Sequence, residues 1–330
     1  MEAVYQAATQ AVSYPVEDIF LNIARRSGTI LAPHLAPLQS LLSHQLRTTF
    51  PSFAVAAERW LRTTQNPLSA KLPLGNPFHV VLILGGYFAV VFFGKALMGG
   101  VAKPFKAKTL MMLHNLFLLT LSAYMCGSIL VEARRAGYSL WGNSVDVSEG
   151  GIKMSKLAWL FYYSKIFEFV DTFIMVIKKN NRQISFLHIY HHASIFCVWY
   201  DPFFSSYTCP SYFSAALNSF IHVVMYGYYF FSAIGIKQVS FIKRYITAMQ
   251  MTQFCAMMCQ AIYNMYSAHL LRDDPAALAR MYPPNLSTLL FFYMWTMLGL
   301  FANFFVQDAR RAAKERREKA LAGKEDKKRV

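Results

Sequence analysis

Long apolar segments joined by mostly short connections are the feature of this 330-residue chain that most limits its fold. Hydrophobic residues make up 55% of the sequence and charged residues only 15%, which is too apolar a composition for an ordinary soluble domain. A helix of about 20 apolar residues crosses a bilayer. We therefore predict an all-α polytopic membrane protein with seven transmembrane helices, at about residues 78–98, 109–131, 156–177, 184–204, 211–234, 245–270 and 286–307.

These segments divide the chain into three regions. Residues 76–308 form the predicted transmembrane domain, residues 1–75 precede it, and residues 309–330 form a basic tail. The first region lacks the charged start and long apolar core of a signal peptide, and its apolar residues recur at helical spacing in 16–24 and 36–46. We expect amphipathic helices on the membrane surface there, with a partly ordered leader as the alternative.

Lysine and arginine residues are concentrated in alternate connections between the segments. The first, third and fifth connections are basic, the fourth has no basic residue, and the long second connection has few for its length. Because basic loops favour the cytosolic side, we expect the N-terminus in the lumen and the C-terminus in the cytosol. The end Lys327-Lys328-Arg329-Val330 is similar to the dilysine signal for return to the endoplasmic reticulum, so we expect that membrane as the location.

The net charge of +16 raises the question of nucleic acid as a partner. Much of the excess lies in the tail and in the loops beside the apolar segments, and no RNA- or DNA-binding motif accompanies it. We therefore expect the lipid bilayer as a partner and no nucleic acid. The five cysteines include no Cys-x-x-Cys pair, and the sequence assigns no disulfide.

Polar side chains lie in the middle of four consecutive predicted spans, where burial in lipid is costly. His188, His191 and His192 have i, i+3, i+4 spacing, which places three imidazoles on one helix face. Stripes of polar residues on the third, fifth and sixth spans would face them, although a structural Lys–Glu pair and amides that join helices are alternatives. The expected site consists of His188, His191, His192 and His222, supported by Lys165, Glu168, Asp171, Asn218, Tyr226, Gln250 and Gln253.

Several other kinds of protein share parts of this pattern. His-x-x-His-His also occurs in membrane di-iron enzymes, but those need ligands from several histidine boxes, and the remaining histidines here stand outside any box. A mononuclear zinc hydrolase remains an alternative interpretation, although the sequence contains no His-Glu-x-x-His spacing. A receptor would carry polar motifs at its helix ends, whereas these polar groups lie in mid-span. We expect no bound metal or cofactor.

Four blocks of sequence between residues 75 and 310 carry these polar residues. The blocks are Lys165-x-x-Glu168-x-x-Asp171-Thr172, His188-x-x-His191-His192, Asn218-x-x-x-His222-x-x-Met225-Tyr226-x-Tyr228-Tyr229 and Thr247-x-x-Gln250-Met251-x-Gln253-Phe254. In order and spacing they resemble the signature blocks of the ELO family of very-long-chain fatty acid elongases. This resemblance implies that six of the seven helices form a barrel around a narrow acyl tunnel.

The resemblance also implies an activity, the condensing step of microsomal fatty acid elongation. An acyl-CoA and malonyl-CoA would give a 3-oxoacyl-CoA that is two carbons longer, carbon dioxide and coenzyme A. By similarity His191 is the expected acyl acceptor, and His222 is the second catalytic imidazole. His188 and His192 would hold the malonyl thioester or orient the nucleophile. Oxyanion donors would be Asn218 and Gln250 or Gln253, while Lys165, Glu168 and Asp171 would position the histidines.

Both coenzyme A headgroups carry phosphates and would arrive from the cytosol. The basic residues expected to bind them are Lys178, Lys179, Arg182, Lys243 and Arg244, although topology alone explains them equally well. Gln183 and the run Ala193-Ser194-Ile195-Phe196 look similar to elongases of polyunsaturated substrates. A seven-helix lipid sensor or transporter is the alternative function. The sequence leaves open a homodimer and association with other enzymes of the elongation cycle.

Overall fold

The computed structural model describes residues 15–64, 72–144, 146, 148–200, 208–281 and 283–329. These residues are mostly helical and form no strand, which confirms the predicted all-α class. The helices are α1 (Val16–Thr49), α2 (Pro51–Thr64), α3 (Pro77–Gly100), α4 (Lys108–Arg135), α5 (Glu149–Ile177), α6 (Phe186–Tyr200), α7 (Thr208–Ala233), α8 (Lys243–Leu270), α9 (Pro275–Arg280) and α10 (Pro284–Arg329). A π-helical turn, Val90–Gly94, lies within α3, and a 3-10 turn, Lys237–Phe241, precedes α8.

Three of the described helices are long and apolar enough to cross a membrane: α3, α4 and the Pro284–Arg311 part of α10. The other four predicted spans correspond to α5, α6, α7 and α8. Charged side chains lie in the middle of α5, and the helix α6 has 15 residues, with residues 201–204 of its predicted span outside the described part. A membrane protein is therefore supported, while the count of seven spans and the barrel remain predictions.

Local sequence explains where the main helices begin. The Asn76 side chain accepts a hydrogen bond of 3.0 Å from the N–H of Phe78, and Pro77 occupies the first position of α3. Ser148 caps α5 in the same way, through a bond of 3.4 Å from the N–H of Gly151. Such caps satisfy donors that the first helical turn leaves unpaired.

Packing between the long helices follows a closed order. Contacts run from α4 to α5, α5 to α6, α6 to α10, α10 to α8, α8 to α7 and α7 to α4. In addition, α7 contacts α5, and α3 contacts α5 and α6. Aromatic pairs fill the buried interior, among them Phe161 with Trp199 at a centroid distance of 4.4 Å and Tyr162 stacked on Phe196 at 5.0 Å. Burial of such large rings supplies much of the packing energy between helices.

Helix α1 contains both of the predicted amphipathic stretches in one continuous element, although two prolines lie inside it. Its first turns pack against α5 and α4. The buried Glu17 carboxylate accepts a short hydrogen bond from the Tyr124 hydroxyl, and Asp18 lies 2.7 Å from the Lys156 ammonium. Most of the helix beyond residue 24 is exposed. The start of α1 is therefore attached to the bundle.

The connection between α4 and α5 is organised by Asp146. Its carboxylate accepts hydrogen bonds from the Tyr138 hydroxyl at 2.6 Å and from the Ser148 N–H at 2.8 Å. Partial burial raises the pKa of Asp146, but the hydrogen bonds outweigh burial, so the pKa lies below its ordinary value. A side chain at Gly151 would collide with the backbone carbonyl of Asp146, so glycine is required there.

Candidate active site

The histidines of α6 form one cluster, as their spacing predicts. The ring centroids of His188 and His192 lie 4.4 Å apart, and those of His191 and His192 lie 5.5 Å apart. The Nδ1 atoms of His191 and His192 are buried and have no hydrogen-bond partner among the described residues. Since buried polar atoms are nearly always bonded in native proteins, these atoms are suited to contact a bound molecule. Within the described part of the chain, no group of three or more His, Cys, Asp or Glu residues is arranged to hold a metal ion.

A buried ionic network on α5 and α7 holds the fourth predicted histidine. His222 Nδ1 lies 3.2 Å from Glu168 Oε1, and the Lys165 ammonium donates to the same oxygen at 2.7 Å. The side chains of Lys165 and Glu168 are only 2% and 3% exposed. A donor bond from Nδ1 to a carboxylate selects the tautomer in which Nε2 is the basic nitrogen. His222 is therefore oriented for acid–base chemistry.

Amide side chains extend this network towards the α6 histidines. Lys165 also donates to Asn218 Oδ1 at 3.2 Å, and Asn218 Nδ2 donates to Gln253 Oε1 at 3.4 Å. Asn218 and Gln253 line the same cavity as His191. Gln250 is half-buried, and among the described residues its amide contacts Met225 Sδ at 3.9 Å rather than a histidine. The structure thus joins Gln253, but not Gln250, to the network.

A second carboxylate, Asp171, lies one turn beyond Glu168 on α5. Its Oδ1 is 3.0 Å from His114 Nε2 on α4, and its Oδ2 accepts a hydrogen bond of 2.7 Å from the Tyr226 hydroxyl. Tyr226 also packs edge-on against His222, at a centroid distance of 5.6 Å. The sequence predicted Asp171 and Tyr226 as site residues and missed His114, because a lone histidine in an apolar segment carries no motif.

Thr172 connects α5 to the α6 cluster. Its hydroxyl lies 2.8 Å from His188 Nε2 and donates to the Tyr87 hydroxyl of α3 at 3.4 Å. The Tyr87 ring stacks on Phe169 at a centroid distance of 4.5 Å. Tyr87 is the second site neighbour that sequence reasoning missed. Only its position in the fold, on a helix outside the four sequence blocks, brings it to the histidines.

A mostly apolar pocket extends from His191 between α6, α7, α8 and α10. Its other polar lining residues include Asn218, Gln253 and Tyr293, whose hydroxyl lies 3.0 Å from Ser194 Oγ. The remaining lining residues are Ile195, Val198, Trp199, Ser214, Phe254, Met257, Leu290, Met294 and Met297. An apolar lining with a few polar groups is typical of sites that bind small organic molecules.

The basic residues predicted to bind coenzyme A occupy different environments. Lys178 Nζ lies 3.4 Å from Met111 Sδ, and the Lys179 ammonium donates to the backbone carbonyl of Val101. Arg182 and Lys243 are exposed, so a phosphate could reach them directly. The side chain of Arg244, like those of the final twelve residues, lies outside the described part of the chain.

Known proteins resemble this chain over most of its length. Residues 72–317 match the model of the ELO, or GNS1/SUR4, family. Fatty acid elongase 6 of Leishmania major is 35% identical over 313 residues, which cover 93% of this chain and 79% of that protein. Very long chain fatty acid elongase 5 of Xenopus tropicalis is 32% identical over 256 residues, or 76% of this chain and 82% of that protein. Very long chain fatty acid elongase 2 of Rattus norvegicus is 34% identical over 218 residues, or 64% of this chain and 74% of that protein. The chain therefore belongs to the ELO family.

Proposed function

We propose that this chain is the condensing enzyme of fatty acid elongation. It joins an acyl-CoA to malonyl-CoA and releases a 3-oxoacyl-CoA, carbon dioxide and coenzyme A. The observation that carries the proposal is the position of His191 at one end of an apolar cavity. An acyl chain in that cavity would present its thioester to a buried imidazole. The names of the relatives, all fatty acid elongases, support the same reaction class.

The first half-reaction forms an acyl-imidazole. An unprotonated nitrogen of His191 attacks the thioester carbonyl, the carbon–sulfur bond breaks, and coenzyme A leaves as a thiol with the imidazole proton. Negative charge develops on the carbonyl oxygen during the attack. Amide N–H groups of Asn218 and Gln253, at the level of His191, would stabilise that oxyanion.

The second half-reaction consumes malonyl-CoA. Loss of carbon dioxide leaves the thioester enolate, whose carbon attacks the acyl carbon while the bond to His191 breaks. The released imidazole then regains a proton. His222, oriented by Glu168, is the acid–base partner, and His188 and His192 hold the malonyl thioester.

Polyunsaturated acyl chains are the proposed substrate class. The cavity presents three methionine thioethers, Met257, Met294 and Met297, and the hydroxyl of Tyr293, which lies 3.0 Å from Ser194 Oγ. Thioethers are flexible and polarisable, so they adapt to the bent shape and the π electrons of cis double bonds. The length of the cavity would limit the length of the acyl chain.

The proposed setting is the endoplasmic reticulum, with the N-terminus in the lumen and the C-terminus in the cytosol. Six helices, α4, α5, α6, α7, α8 and α10, would form the barrel, and their closed order of contacts supports this arrangement. The mouth faces the cytosol, where Arg182 and Lys243 would meet the phosphates of coenzyme A. The enzymes that reduce and dehydrate the product are the expected partners.

A condensation assay tests the function. The purified chain in lipid nanodiscs is given a polyunsaturated acyl-CoA and malonyl-CoA labelled at its methylene carbon. The enzyme should produce labelled 3-oxoacyl-CoA together with equimolar carbon dioxide and coenzyme A. A lipid sensor or transporter would bind the acyl-CoA without labelled product, and that result would refute the proposal. A matched series of saturated acyl-CoAs tests the substrate class.

A further inference from the structure

Two carboxylates on one face of α5 each hold a histidine that comes from another helix. Glu168 holds His222 of α7 at 3.2 Å, and Asp171, one turn later, holds His114 of α4 at 3.0 Å. The first histidine belongs to the four sequence blocks described above. The second does not, so the structure contains a His–carboxylate pair to which those blocks assign no role.

This second pair is built rigidly. The His114 side chain is 7% exposed and that of Asp171 is 18% exposed. The Tyr226 hydroxyl donates to the other carboxylate oxygen at 2.7 Å, so both oxygens of Asp171 are bound. Because both of its oxygens are bound, the Asp171 carboxylate cannot rotate. This fixes the part of α5 that lies next to the histidine cluster of α6.

The pair acts on the histidine cluster through the next residue in the chain. Thr172 follows Asp171, and its hydroxyl lies 2.8 Å from His188 Nε2. His188 stands one turn before His191 on α6, whereas the acyl cavity extends from His191 in the other direction, towards Ile195 and Trp199. In the proposed function the acyl chain fills the cavity, and the second thioester lies on the His188 side of His191.

Resting on the proposed function, we propose that His114 is a positioning residue for the malonyl half-reaction. Through Asp171 it holds Thr172 and His188 against the malonyl thioester. In this step the bond between the carboxylate and the methylene carbon breaks, and its electron pair forms the enolate. Carbon dioxide leaves, the enolate carbon bonds to the acyl carbon as the bond to His191 breaks, and the His191 imidazole takes a proton from solvent by way of His222. His114 exchanges no atoms with the substrates.

A two-stage experiment on the full chain in nanodiscs tests this role. In stage one, acyl-CoA alone is added and the release of coenzyme A is timed. In stage two, excess malonyl-CoA is added and the loss of the acyl adduct is followed by intact-protein mass after rapid quenching. The variants are His114→Ala, His114→Gln and Tyr226→Phe. The control is Ser122→Ala, which alters another buried polar residue of α4.

We expect His114→Ala to slow stage two by about 10- to 100-fold, because a misplaced group loses this much even when it is remote from the chemistry. Stage one should slow by far less. His114→Gln should recover part of the loss, since its amide N–H can donate to Asp171, and Tyr226→Phe should slow stage two selectively because one donor is missing. Ser122→Ala should behave as wild type in both stages.

Equal slowing of both stages, or a folded His114→Ala protein with an unchanged stage two, would overturn the proposal. If His114→Ala does not fold, the rate of stage two in Tyr226→Phe tests the positioning role instead. An unchanged rate in that variant counts against the role. A wild-type protein that releases no coenzyme A in stage one would refute the acyl-histidine function itself and this proposal with it. If the wild-type protein completes both stages and the variants show the same rates, the positioning role alone is refuted.

Discussion

His222 Nδ1 and Glu168 Oε1 lie 3.2 Å apart in the interior of the helix bundle, and the same oxygen accepts a hydrogen bond from Lys165. Three ionisable groups thus share one buried site. The arrangement is stable only while each charge has its partner, because an isolated charge in this environment is very costly. The network therefore links the stability of the bundle to the orientation of His222, the imidazole proposed as acid–base partner.

Replacing Lys165 by methionine should destabilise the protein. The substitution leaves the Glu168 carboxylate buried without its cation, which typically costs about 3–5 kcal/mol. Thermal unfolding in detergent measures the effect. Lys156, which pairs with Asp18 at the partly exposed edge of α5, provides the control, and Lys156→Met should cost about 1 kcal/mol or less. Similar losses for the two variants would contradict the assignment of a buried network.

Replacing Gln253 by alanine should reduce turnover rather than stability. We expect kcat to fall by about 10²–10³-fold, which is the usual effect of removing one oxyanion donor. Thr252→Ala, an exposed neighbour on the same helix whose hydroxyl bonds to the Ala248 carbonyl, serves as the control and should retain kcat. Steady-state kinetics measures kcat and KM for both variants. A change confined to KM would assign Gln253 to substrate binding alone.

Two adjacent leucines of α10 test the acyl cavity. Leu290 lines the cavity, whereas Leu289 is 43% exposed on the outer surface. Leu290→Trp should fill part of the cavity and shorten the longest product, because a packed interior has little room for extra volume. Leu289→Trp should leave the product profile unchanged. Gas chromatography of the products gives the answer, and identical profiles for both variants would place the acyl chain elsewhere.

Asp146 should make the stability of the α4–α5 connection depend on pH. Its folded-state pKa lies below the ordinary value of 3.8, so its contribution is fully present above that value and is lost as pH falls through the folded-state pKa. The difference in melting temperature between wild type and Asp146→Asn should therefore be largest above about pH 5 and vanish in stronger acid. Asp273→Asn, at an exposed aspartate, is the control. A difference that persists unchanged in acid would be inconsistent with the depressed pKa.

The sequence predicts the α6 cluster well because helical periodicity fixes which residues share a face. Spacing on one helix is enough to bring His188, His191 and His192 together. Contacts between helices are harder to predict, since nothing in the local sequence indicates that His114 of α4 meets Asp171 of α5. Gln250 and Gln253 show the same limit, because two amides on one helix are alike in sequence and only packing separates their partners.

The N-terminal region shows a different limit. Apolar spacing correctly indicates helix in 16–24 and 36–46 but predicts separate helices, whereas the structure has one helix that contains two prolines. Proline removes one backbone hydrogen bond and bends a helix without always ending it. The contact between Glu17 and Tyr124 is a tertiary feature that periodicity cannot reveal.

In the proposed mechanism, His191 carries the acyl group between the two half-reactions. The most direct test is the intact mass of the purified protein after incubation with acyl-CoA alone, followed by peptide mapping of the modified residue. We predict release of coenzyme A, a mass increase of one acyl group on His191, and neither effect in a folded His191→Ala variant. An unmodified wild-type protein that still completes the condensation, or acylation retained in His191→Ala, would contradict the claim.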